Sequence, residues 1–514
     1  MGTGCMPIWF GCVPAGKGER FMGQMRFVVP RPDRVVSGAA EQAYLAGAEG
    51  IPWECRTEIA DELMVIERDT KESGYLYFPW IVAGRGQVQL CSGSLVERPK
   101  PYNLPVELAR GTLNRLRNQA WGWQSAGMAI PESFQEALSS AQSAFALAAT
   151  SQAQPAAAGD YADDAIRQGL EAGELLAREF TQQVLAVRKA QQVACGTLLG
   201  ARLQDALEGE AADRFQSACN LAVVSPHWPE IEKVEGTYDW TTTDRIVQWC
   251  QEHGVRVCMG PLLLMDKHAL PDWLFLNDGF DEVQAAVLGF VSAAVNRYRG
   301  KVQLWHVAGR MNDDGAFNYS EEQRLRLVVE AVDRVRSLEA RTPLVVSFNQ
   351  PWGESIAHRD QELTPLHFAD TLVRGELGLS GVGLEINYGY WPGGTLPRDP
   401  LEMSRLIDRW TQLGVPLMVF LSAPSSLVED PHARHPSRPL PYLRAGGITP
   451  AWQNGVVEWL LPLLLAKQPV QAIVWDHWQD NVDHELPAAG LLDHEGKPKP
   501  ALQTISDLKR EWIG

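Results

Sequence analysis

From residue 196 to the end of the chain, short runs of hydrophobic residues alternate with longer stretches that follow a helical period. Continuous short runs are typical of strands buried on both faces, and the longer stretches are typical of amphipathic helices. The helical stretches include 244–253, 283–299 and 322–338. The eight hydrophobic runs are 197–201, 220–225, 255–263, 302–308, 343–349, 381–387, 416–422 and 470–475. Eight strands joined by helical crossovers predict an α/β fold, a (β/α)8 TIM barrel over residues 196–514.

A different pattern precedes the predicted barrel. Residues 63–67, 74–82 and 87–90 form short runs rich in β-branched and aromatic residues, and glycine-containing turns separate them. Such runs predict strands joined by tight turns. We therefore predict a β-rich, β-sandwich-like domain over residues 25–103.

Helical periodicity begins at residue 105 and fills the region between the two predicted domains. Beyond that first helix we predict a second over 133–148 and a long one over 162–193, with an Ala-, Pro- and Gln-rich linker over 150–160. The long helix carries a hydrophobic stripe without a clean heptad, which favours packing between domains over a coiled coil. We interpret residues 104–195 as a helical connector.

Composition and charge narrow the classes of partner. The 514 residues carry a formal net charge of −17, whereas nucleic acid and anionic membranes both attract a basic surface. We expect neither as a partner, and the sequence has no apolar run of about 18 residues that would predict a membrane span. The eight cysteines form no CxxC pair and are interpreted as reduced thiols, which favours a cytoplasmic location. Residues 1–24 do not resemble a signal peptide and are expected to be disordered or to precede the true start.

Polar and aromatic residues gather where the predicted strands end, which is where a barrel places its chemistry. The strand over 302–308 opens into a polar loop that begins with a cation and an amide, Arg310 and Asn312, and has no carboxylate at residues 309–312. Aromatic rings that pack on C–H groups and amides that bond hydroxyls suit a neutral polyhydroxylated ligand. Taken singly, each such residue is equally well explained by packing in the core or on the surface. The predicted substrate-binding residues are Trp228, His306, Arg310, Asn349, Trp352, Asn387, Tyr388, Trp391, Trp475 and Trp478.

Several segments resemble glycoside hydrolase family 10, the endo-xylanase family, over about residues 196–514. Residues 298–307 are similar to the family pattern Y-x-G-K-V-x-x-W-D-V, and residues 490–501 to its closing pattern G-L-L-D-x-x-G-x-P-K-P-A. Residues 225–240, 253–260 and 270–273 resemble earlier family segments in the same order. The resemblance implies a TIM barrel with sugar-hydrolase ancestry.

The resemblance also implies two catalytic glutamates, an acid/base after strand four and a nucleophile on strand seven. Gly309 and Arg310 stand at the acid/base positions, and Leu421 stands at the nucleophile position. An arginine cannot serve as a general acid near neutral pH because its pKa is above about 12, and a leucine has no lone pair to attack with. Residues 260–265 also lack the histidine and tryptophan that the family uses to hold sugar. Ordinary xylanase activity is therefore not expected.

The remaining carboxylates leave more than one functional hypothesis. The first is recognition of a glycan or oligosaccharide by a pseudoenzyme barrel. The second is a glycoside hydrolase of unusual specificity that uses relocated carboxylates, with Glu385 and Asp476 as tentative catalytic residues because each lies at or near a strand end. Against the second, Glu385 is also placed to form a buried ion pair with Arg310. A structural or assembly protein is the third hypothesis.

We predict a carbohydrate as the partner and leave the oligomeric state open. No cofactor and no metal are expected, because the spacing of His477, Asp480, Asp483 and His484 is not distinctive for a metal site. A β-rich domain beside a sugar-acting barrel is interpreted as carbohydrate-binding-module-like, with a structural domain that binds nothing as the alternative.

Overall fold

The computed structural model describes residues 22–191, 195–277, 279–359, 361–444 and 447–513. The expectations for residues 1–21, and for the two cysteines there, lie outside the described residues. The six cysteines among the described residues are buried free thiols, in agreement with the prediction. None of the described helices combines the length and the apolar composition that crossing a membrane requires.

The described N-terminal region contains two antiparallel-rich sheets, in the orders β3-β4-β1-β7 and β2-β5-β6. Phe27, Ile66 and Phe78, from three of these strands, are fully buried in a core that the two sheets share. The predicted strand-rich N-terminal region is confirmed, although its first strand begins at Gly23, inside the segment expected to be disordered. Its elements are β1 (Gly23–Val28), helix α1 (Ala39–Gln42), β2 (Tyr44–Ala46), β3 (Cys55–Ala60), β4 (Leu63–Arg68), β5 (Gly74–Val82), β6 (Gly86–Leu95) and β7 (Tyr102–Asn103).

Three helices follow, α2 (Leu104–Ser125), α3 (Glu132–Thr150) and α4 (Pro155–Ala190). The linker predicted over 150–160 is too long, because helix α4 already begins at Pro155. Proline is well tolerated in the first turn of a helix, and the alanines that follow it have the highest helix propensity. Small residues on the buried stripe of α4 let α2 approach closely.

Gly111 marks the contact between α2 and strand β6. A Cβ atom there would overlap the carbonyl oxygen of Cys91 and the backbone of Ser92, whereas a Cβ at Gly122 of the same helix would meet open space. We expect Gly111→Ala to lower the free energy of unfolding by about 1–3 kcal/mol through overpacking. Gly122→Ala should instead raise it by about 0.5–1 kcal/mol, since alanine favours the helix. Urea denaturation of the two variants checks both signs, and a Gly111→Ala protein as stable as the parent would refute the close contact.

The rest of the described chain forms a closed barrel of eight parallel strands, in the order β8-β9-β10-β12-β13-β14-β16-β18, with β18 pairing back to β8. The predicted TIM barrel is confirmed. Its strands, with three short additional ones, are β8 (Leu198–Leu203), β9 (Leu221–Val224), β10 (Arg256–Met259), β11 (Leu263–Leu264), β12 (Leu304–Gly309), β13 (Leu344–Asn349), β14 (Gly381–Asn387), β15 (Tyr390–Trp391), β16 (Leu417–Ser422), β17 (Arg438–Pro439) and β18 (Val470–Trp475). Its helices are α5 (Gly209–Ala218), α6 (Trp228–Ile231), α7 (Thr241–Glu252), α8 (Phe280–Tyr298), α9 (Glu321–Leu338), α10 (Pro365–Arg374), α11 (Pro400–Thr411), α12 (Pro450–Ala466) and α13 (Pro500–Trp512).

Alternation along the strands separates an interior core from an outer layer. Val223, Met418, Phe420 and Val474 pack with one another inside the barrel. Their neighbours in the strands, such as Leu421, pack in the layer between strands and helices. The side chains that reach the carboxyl-terminal mouth of the barrel are therefore the inward-facing ones at the strand ends.

Candidate functional site

The inward-facing positions at the carboxyl ends of the strands are mostly polar. They lie above the hydrophobic interior core, and many are joined by hydrogen bonds. They comprise Arg202 on β8, Ser225 after β9, His306 on β12, Arg310 after β12, Ser347 and Asn349 on β13, Glu385 and Asn387 on β14, Ser422 on β16 and Asp476 after β18. This set defines the barrel mouth.

Arg310 lies at the centre of the mouth, with its side chain 12% exposed. Its Nε donates to Glu385 Oε2 at 2.5 Å, and its Nη2 donates to Glu485. The backbone of Arg310 is left-handed, with φ of 58°, a conformation that costs energy for a residue other than glycine. Its N–H donates to the carbonyl oxygen of Ser347 at 3.1 Å. The ion pair between Glu385 and Arg310 considered from the sequence is thus present.

A chain of hydrogen bonds continues from Glu385 into the barrel. Ser347 Oγ donates to Glu385 Oε1 at 2.6 Å, and His306 Nε2 lies 2.8 Å from the same Oγ. Because the serine proton is given to the carboxylate, His306 Nε2 must carry a proton and donate it to Ser347. His306 is 1% exposed, and burial lowers its pKa to about 3. The ring is therefore neutral, and it orients Glu385 through its hydrogen bond to Ser347.

A second cation–carboxylate pair lies beside the first. Arg202 donates to Asp476 Oδ1 from Nε at 2.8 Å and from Nη2 at 2.6 Å. Burial raises the pKa of Asp476 to about 6, against the attraction of Arg202. Burial also acts to raise the pKa of Glu485, but Arg310 and Arg202 outweigh it and lower that pKa to about 2. The mouth therefore holds two carboxyl groups whose pKa values are pushed apart.

His477 fixes the loop that carries Glu485. Its Nε2 accepts from the backbone N–H groups of Glu485 and Leu486 at 3.3 Å, so its proton is on Nδ1, 3.3 Å from Ser422 Oγ. Burial lowers the pKa of His477 to about 3. The imidazole is neutral and buried, and its role here is to position the loop.

These shifts predict how stability depends on pH. Between pH 6 and pH 4 the unfolded chain protonates His306 and His477 while the folded chain does not, and Asp476 contributes one proton in the opposite direction. For these three groups, unfolding thus takes up about one net proton, so their contribution makes the free energy of unfolding fall by about 1.4 kcal/mol per pH unit as the pH decreases. Urea denaturation at pH 7, 6, 5 and 4 measures this slope.

Two variants control the pH dependence. His477→Gln removes one of the two neutral histidines and should reduce the slope by about one proton, or about 1.4 kcal/mol per pH unit. His268→Gln, at an exposed position on the rim, should leave the slope unchanged. Equal slopes in the parent and in His477→Gln would contradict the assignment of His477 as a neutral buried base.

Two loops cover the mouth. The loop after β16 pairs with the loop after β18, since Arg434 N–H donates to His484 O at 2.9 Å and His435 N–H donates to Glu485 O at 3.0 Å. They leave a cavity of about 160 Å³ whose wall includes Trp228 and Arg310. This volume lies below the range of about 300–1,000 Å³ that is usual for sites enclosing drug-sized ligands.

The structure brings only part of the predicted ligand-binding set together. His306, Arg310, Glu385 and Asp476 belong to the two networks of the mouth, and Trp228 borders its cavity. The Trp228 ring stacks on Phe290, and its Nε1 donates to Glu232 at 2.6 Å. Asn349 and Asn387 face inward near the mouth. Asn349 Nδ2 donates to Asp313 at 2.9 Å.

The other five predicted residues lie away from the mouth, which corrects the expectation of a ring-lined entrance. Trp475 faces outward by strand alternation, and Trp478 is fully buried against Phe215. Tyr388 directs its hydroxyl to the carbonyl oxygen of Arg398 at 3.0 Å. The remaining two pack elsewhere, Trp352 beside the N-terminal region and Trp391 against a small apolar cluster.

Leu421, which the resemblance puts at the nucleophile position on strand seven, does not face the mouth, and this corrects the expectation. Its side chain lies in the outer layer, and the inward-facing residues at that strand end are Phe420 and Ser422. Neither of them is a carboxylate. The described end of β16 therefore offers the mouth a ring and a hydroxyl.

Three functional side chains escaped the sequence analysis. Ser347 occupies an inward position of a predicted strand, and Arg202 lies one residue beyond the predicted run 197–201, in the observed strand β8. Alternate positions along each strand share a face, so extending the first run by one residue finds Arg202 as well. Glu485 lies on a loop beyond β18, where no periodic pattern applies. Only the fold brings its carboxylate to Arg310.

One buried cluster has donor types that suit a metal. Oxygen and nitrogen atoms of Asp430, Asp480 and His484 lie within 4.8 Å of one another. His484 Nε2 is 2.9 Å from Asp430, however, and Lys499 Nζ is 2.5 Å from Asp480. The ammonium group of Lys499 already supplies the cation that these carboxylates require.

Part of the chain is similar to a known protein family. Residues 188–328 match Glycosyl hydrolase family 10. Over 131 residues the chain is 29% identical to endo-1,4-beta-xylanase 3 of Hypocrea jecorina, a match that covers 23% of this chain and 37% of the fungal enzyme. The segment that matches the family, residues 188–328, includes Arg310. The β16 strand lies outside that segment.

Two solved xylanase structures are also similar to part of the chain. The match with xylanase 10B from Thermotoga maritima has 15% sequence identity and a TM-score of 0.47. It covers 62% of this chain and 96% of the xylanase chain. The match with xylanase 10B from Thermotoga petrophila RKU-1, solved in complex with xylobiose, has 14% sequence identity and a TM-score of 0.48. It covers 66% of this chain and 98% of the xylanase chain.

Proposed function

We propose that the barrel is a non-hydrolytic member of the family 10 lineage that recognises a carbohydrate. The observation that carries the proposal is Arg310, which donates to both Glu385 and Glu485 in the middle of the mouth. By resemblance, Arg310 stands where the family places the glutamate that acts as acid and base. A guanidinium group now occupies that position and holds two carboxylates.

The chemistry of retaining hydrolysis explains why this arrangement opposes cleavage. Such enzymes use two carboxyl groups about 5–5.5 Å apart, one that releases a proton and one that attacks the sugar. Arg310 cannot release its proton near neutral pH, and each carboxylate oxygen of Glu385 accepts one hydrogen bond, from Arg310 or from Ser347. The inward end of β16 adds Ser422 but no carboxylate.

The cavity also limits the ligand. With a volume of about 160 Å³, it has room for a single sugar unit or the end of a chain. Its rim offers the guanidinium group of Arg434, the ring of His435 and the carboxylate of Asp266, which are suited to hydroxyl groups. We therefore favour a mono- or disaccharide as the ligand of the mouth.

Calorimetric titration with xylobiose tests this proposal. We expect binding by the parent protein and at least fivefold weaker binding by Arg434→Ala, which removes a rim donor that pairs with Asp483. Arg245→Ala removes a similar exposed ion pair, with Asp205, on the outside of the barrel and should bind like the parent. Equal affinities for all three proteins, or no binding at millimolar sugar, would refute recognition at the mouth.

One observation favours hydrolysis as a second candidate function. Asp476, with a pKa raised to about 6, and Glu485, with a pKa lowered to about 2, form the kind of separated pair that enzymes use as acid and base. In this second candidate function, Asp476 keeps its tentative catalytic role, and Glu485 takes the catalytic role that the sequence analysis gave to Glu385. It requires that turnover be lost in both Asp476→Asn and Glu485→Gln.

A further inference from the structure

A second and larger cavity lies outside the barrel mouth. It has a volume of about 630 Å³ and lies between the β5–β6 turn, helix α4, the loop after β14 and helix α12. This volume is within the range of about 300–1,000 Å³ that is usual for ligand pockets, which often lie where structural units meet. We call it the interdomain cleft.

One face of α12 forms the floor of the cleft. Trp452, Gly455, Trp459 and Pro462 follow one another at intervals of three and four residues, so they share a helix face. Both indoles are half-buried and contact the ring of Tyr388, at centroid distances of 6.2 and 6.0 Å. The floor is thus an aromatic platform with part of each indole exposed.

Two backbone features keep the floor open and polar. A Cβ at Gly455 would meet no atom within 4 Å, so the space between the two indoles is empty. Pro462 has no N–H, so the carbonyl oxygen of Glu458 lacks the donor that a helix normally supplies four residues later. That carbonyl oxygen therefore lies beside the platform without its usual α-helical donor.

The rim of the cleft carries guanidinium groups without partners. Arg178 and Arg444 are exposed, and their side chains make no hydrogen bond or ion pair with any residue that the structure describes. Arg85, on the same rim, is different because it pairs with Glu174. Asp399 and Glu458 also line the cleft, so Arg178 and Arg444 are exposed cationic groups on a rim that carries carboxylates as well.

Backbone hydrogen bonds hold the walls in place. Gln87 N–H donates to Tyr442 O at 2.6 Å, and Gln89 N–H donates to Pro397 O at 2.7 Å. These bonds tie strand β6 to two loops of the barrel. The cleft is therefore formed in advance of any ligand.

We propose that the interdomain cleft binds an oligosaccharide that carries a carboxylate. Sugar rings pack on Trp452 and Trp459, hydroxyls bond the carbonyl oxygen of Glu458, and the carboxylate pairs with Arg178 or Arg444. The proposal concerns a site separate from the barrel mouth. It stands whether or not the mouth binds sugar.

Titration followed by tryptophan fluorescence tests the proposal with two probes, xylotetraose bearing one glucuronate and unsubstituted xylotetraose. We expect the acidic probe to bind the parent at least tenfold more tightly than the neutral one. The double variant Arg178→Ala/Arg444→Ala should reduce its affinity to that of the neutral probe. Equal affinity of the parent for the two probes would overturn the role of the arginines.

Filling the cleft with a side chain gives a second test, which has a matched control on another helix. Gly455→Leu places a side chain in the open space, and Gly289→Leu does the same on helix α8, where a Cβ also meets nothing within 4 Å. We expect at least a tenfold loss of affinity for the acidic probe in Gly455→Leu and none in Gly289→Leu, with thermal unfolding confirming that both fold. Binding that survives Gly455→Leu but is lost in Arg434→Ala would overturn the proposal, because it would assign the probe to the barrel mouth.

Discussion

Replacing Arg310 by methionine is expected to lower the free energy of unfolding by about 3–5 kcal/mol. The change leaves Glu385, whose side chain is 6% exposed, without its cation, and removes the partner of Glu485. A buried carboxylate without a partner costs far more than the pair contributes, because its desolvation is no longer compensated. Urea denaturation at pH 7 measures the loss.

Arg434→Met is the matched control for Arg310→Met. Arg434 also pairs with a carboxylate, Asp483, but both side chains are more than one-third exposed, and such pairs contribute at most about 1 kcal/mol. The double variant Arg310→Met/Glu385→Leu should recover much of the loss, since removing both partners removes the buried charge. A loss below about 1 kcal/mol in Arg310→Met would mean that water compensates Glu385 and that the network is open.

Arg398→Met is expected to cost a similar amount, about 3–5 kcal/mol, at a different place. Arg398 is completely buried, and its Nη1 donates to Glu354 at 2.6 Å. Its Nη2 lies 2.9 Å from the hydroxyl oxygen of Tyr44, on strand β2 of the N-terminal region. The substitution leaves Glu354 buried and charged, and it breaks a hydrogen bond between the barrel and the N-terminal sheets.

Arg56→Met serves as the control in this second experiment. Arg56 pairs with Glu58 at 2.6 Å, but both side chains are about two-thirds exposed, so the change should stay within about 1 kcal/mol. If Arg398→Met unfolds in two separate transitions while the parent unfolds in one, the buried contact couples the N-terminal region to the barrel. A parent-like free energy of unfolding for Arg398→Met would contradict that coupling.

The sequence predicts the barrel well because buried strands leave a strong local pattern. The run over 381–387 is identical to strand β14, and the run over 470–475 is identical to β18. The error at 150–160 has a local cause as well. Alanine and proline were interpreted as linker residues, although proline followed by alanines equally describes the first turn of helix α4.

The candidate site is only partly predictable, since it depends on which way each side chain faces. The pairing of Glu385 with Arg310 follows from two strand ends that are close in any barrel of this kind. Trp475 ends a predicted strand, and the resemblance puts Leu421 at the nucleophile position, but alternation turns both side chains outward. Glu485 reaches Arg310 from a loop, and its position depends on a buried histidine far from any pattern in the sequence.

We propose that arginines hold the carboxylates of the barrel mouth and that these carboxylates do not cleave sugar. The most direct test is a hydrolysis assay of the full chain on a broad panel of aryl glycosides and xylo-oligosaccharides, with Glu385→Gln and Asp476→Asn assayed in parallel. We predict no product from the parent above a blank without protein. Turnover by the parent that disappears in either variant would contradict the claim.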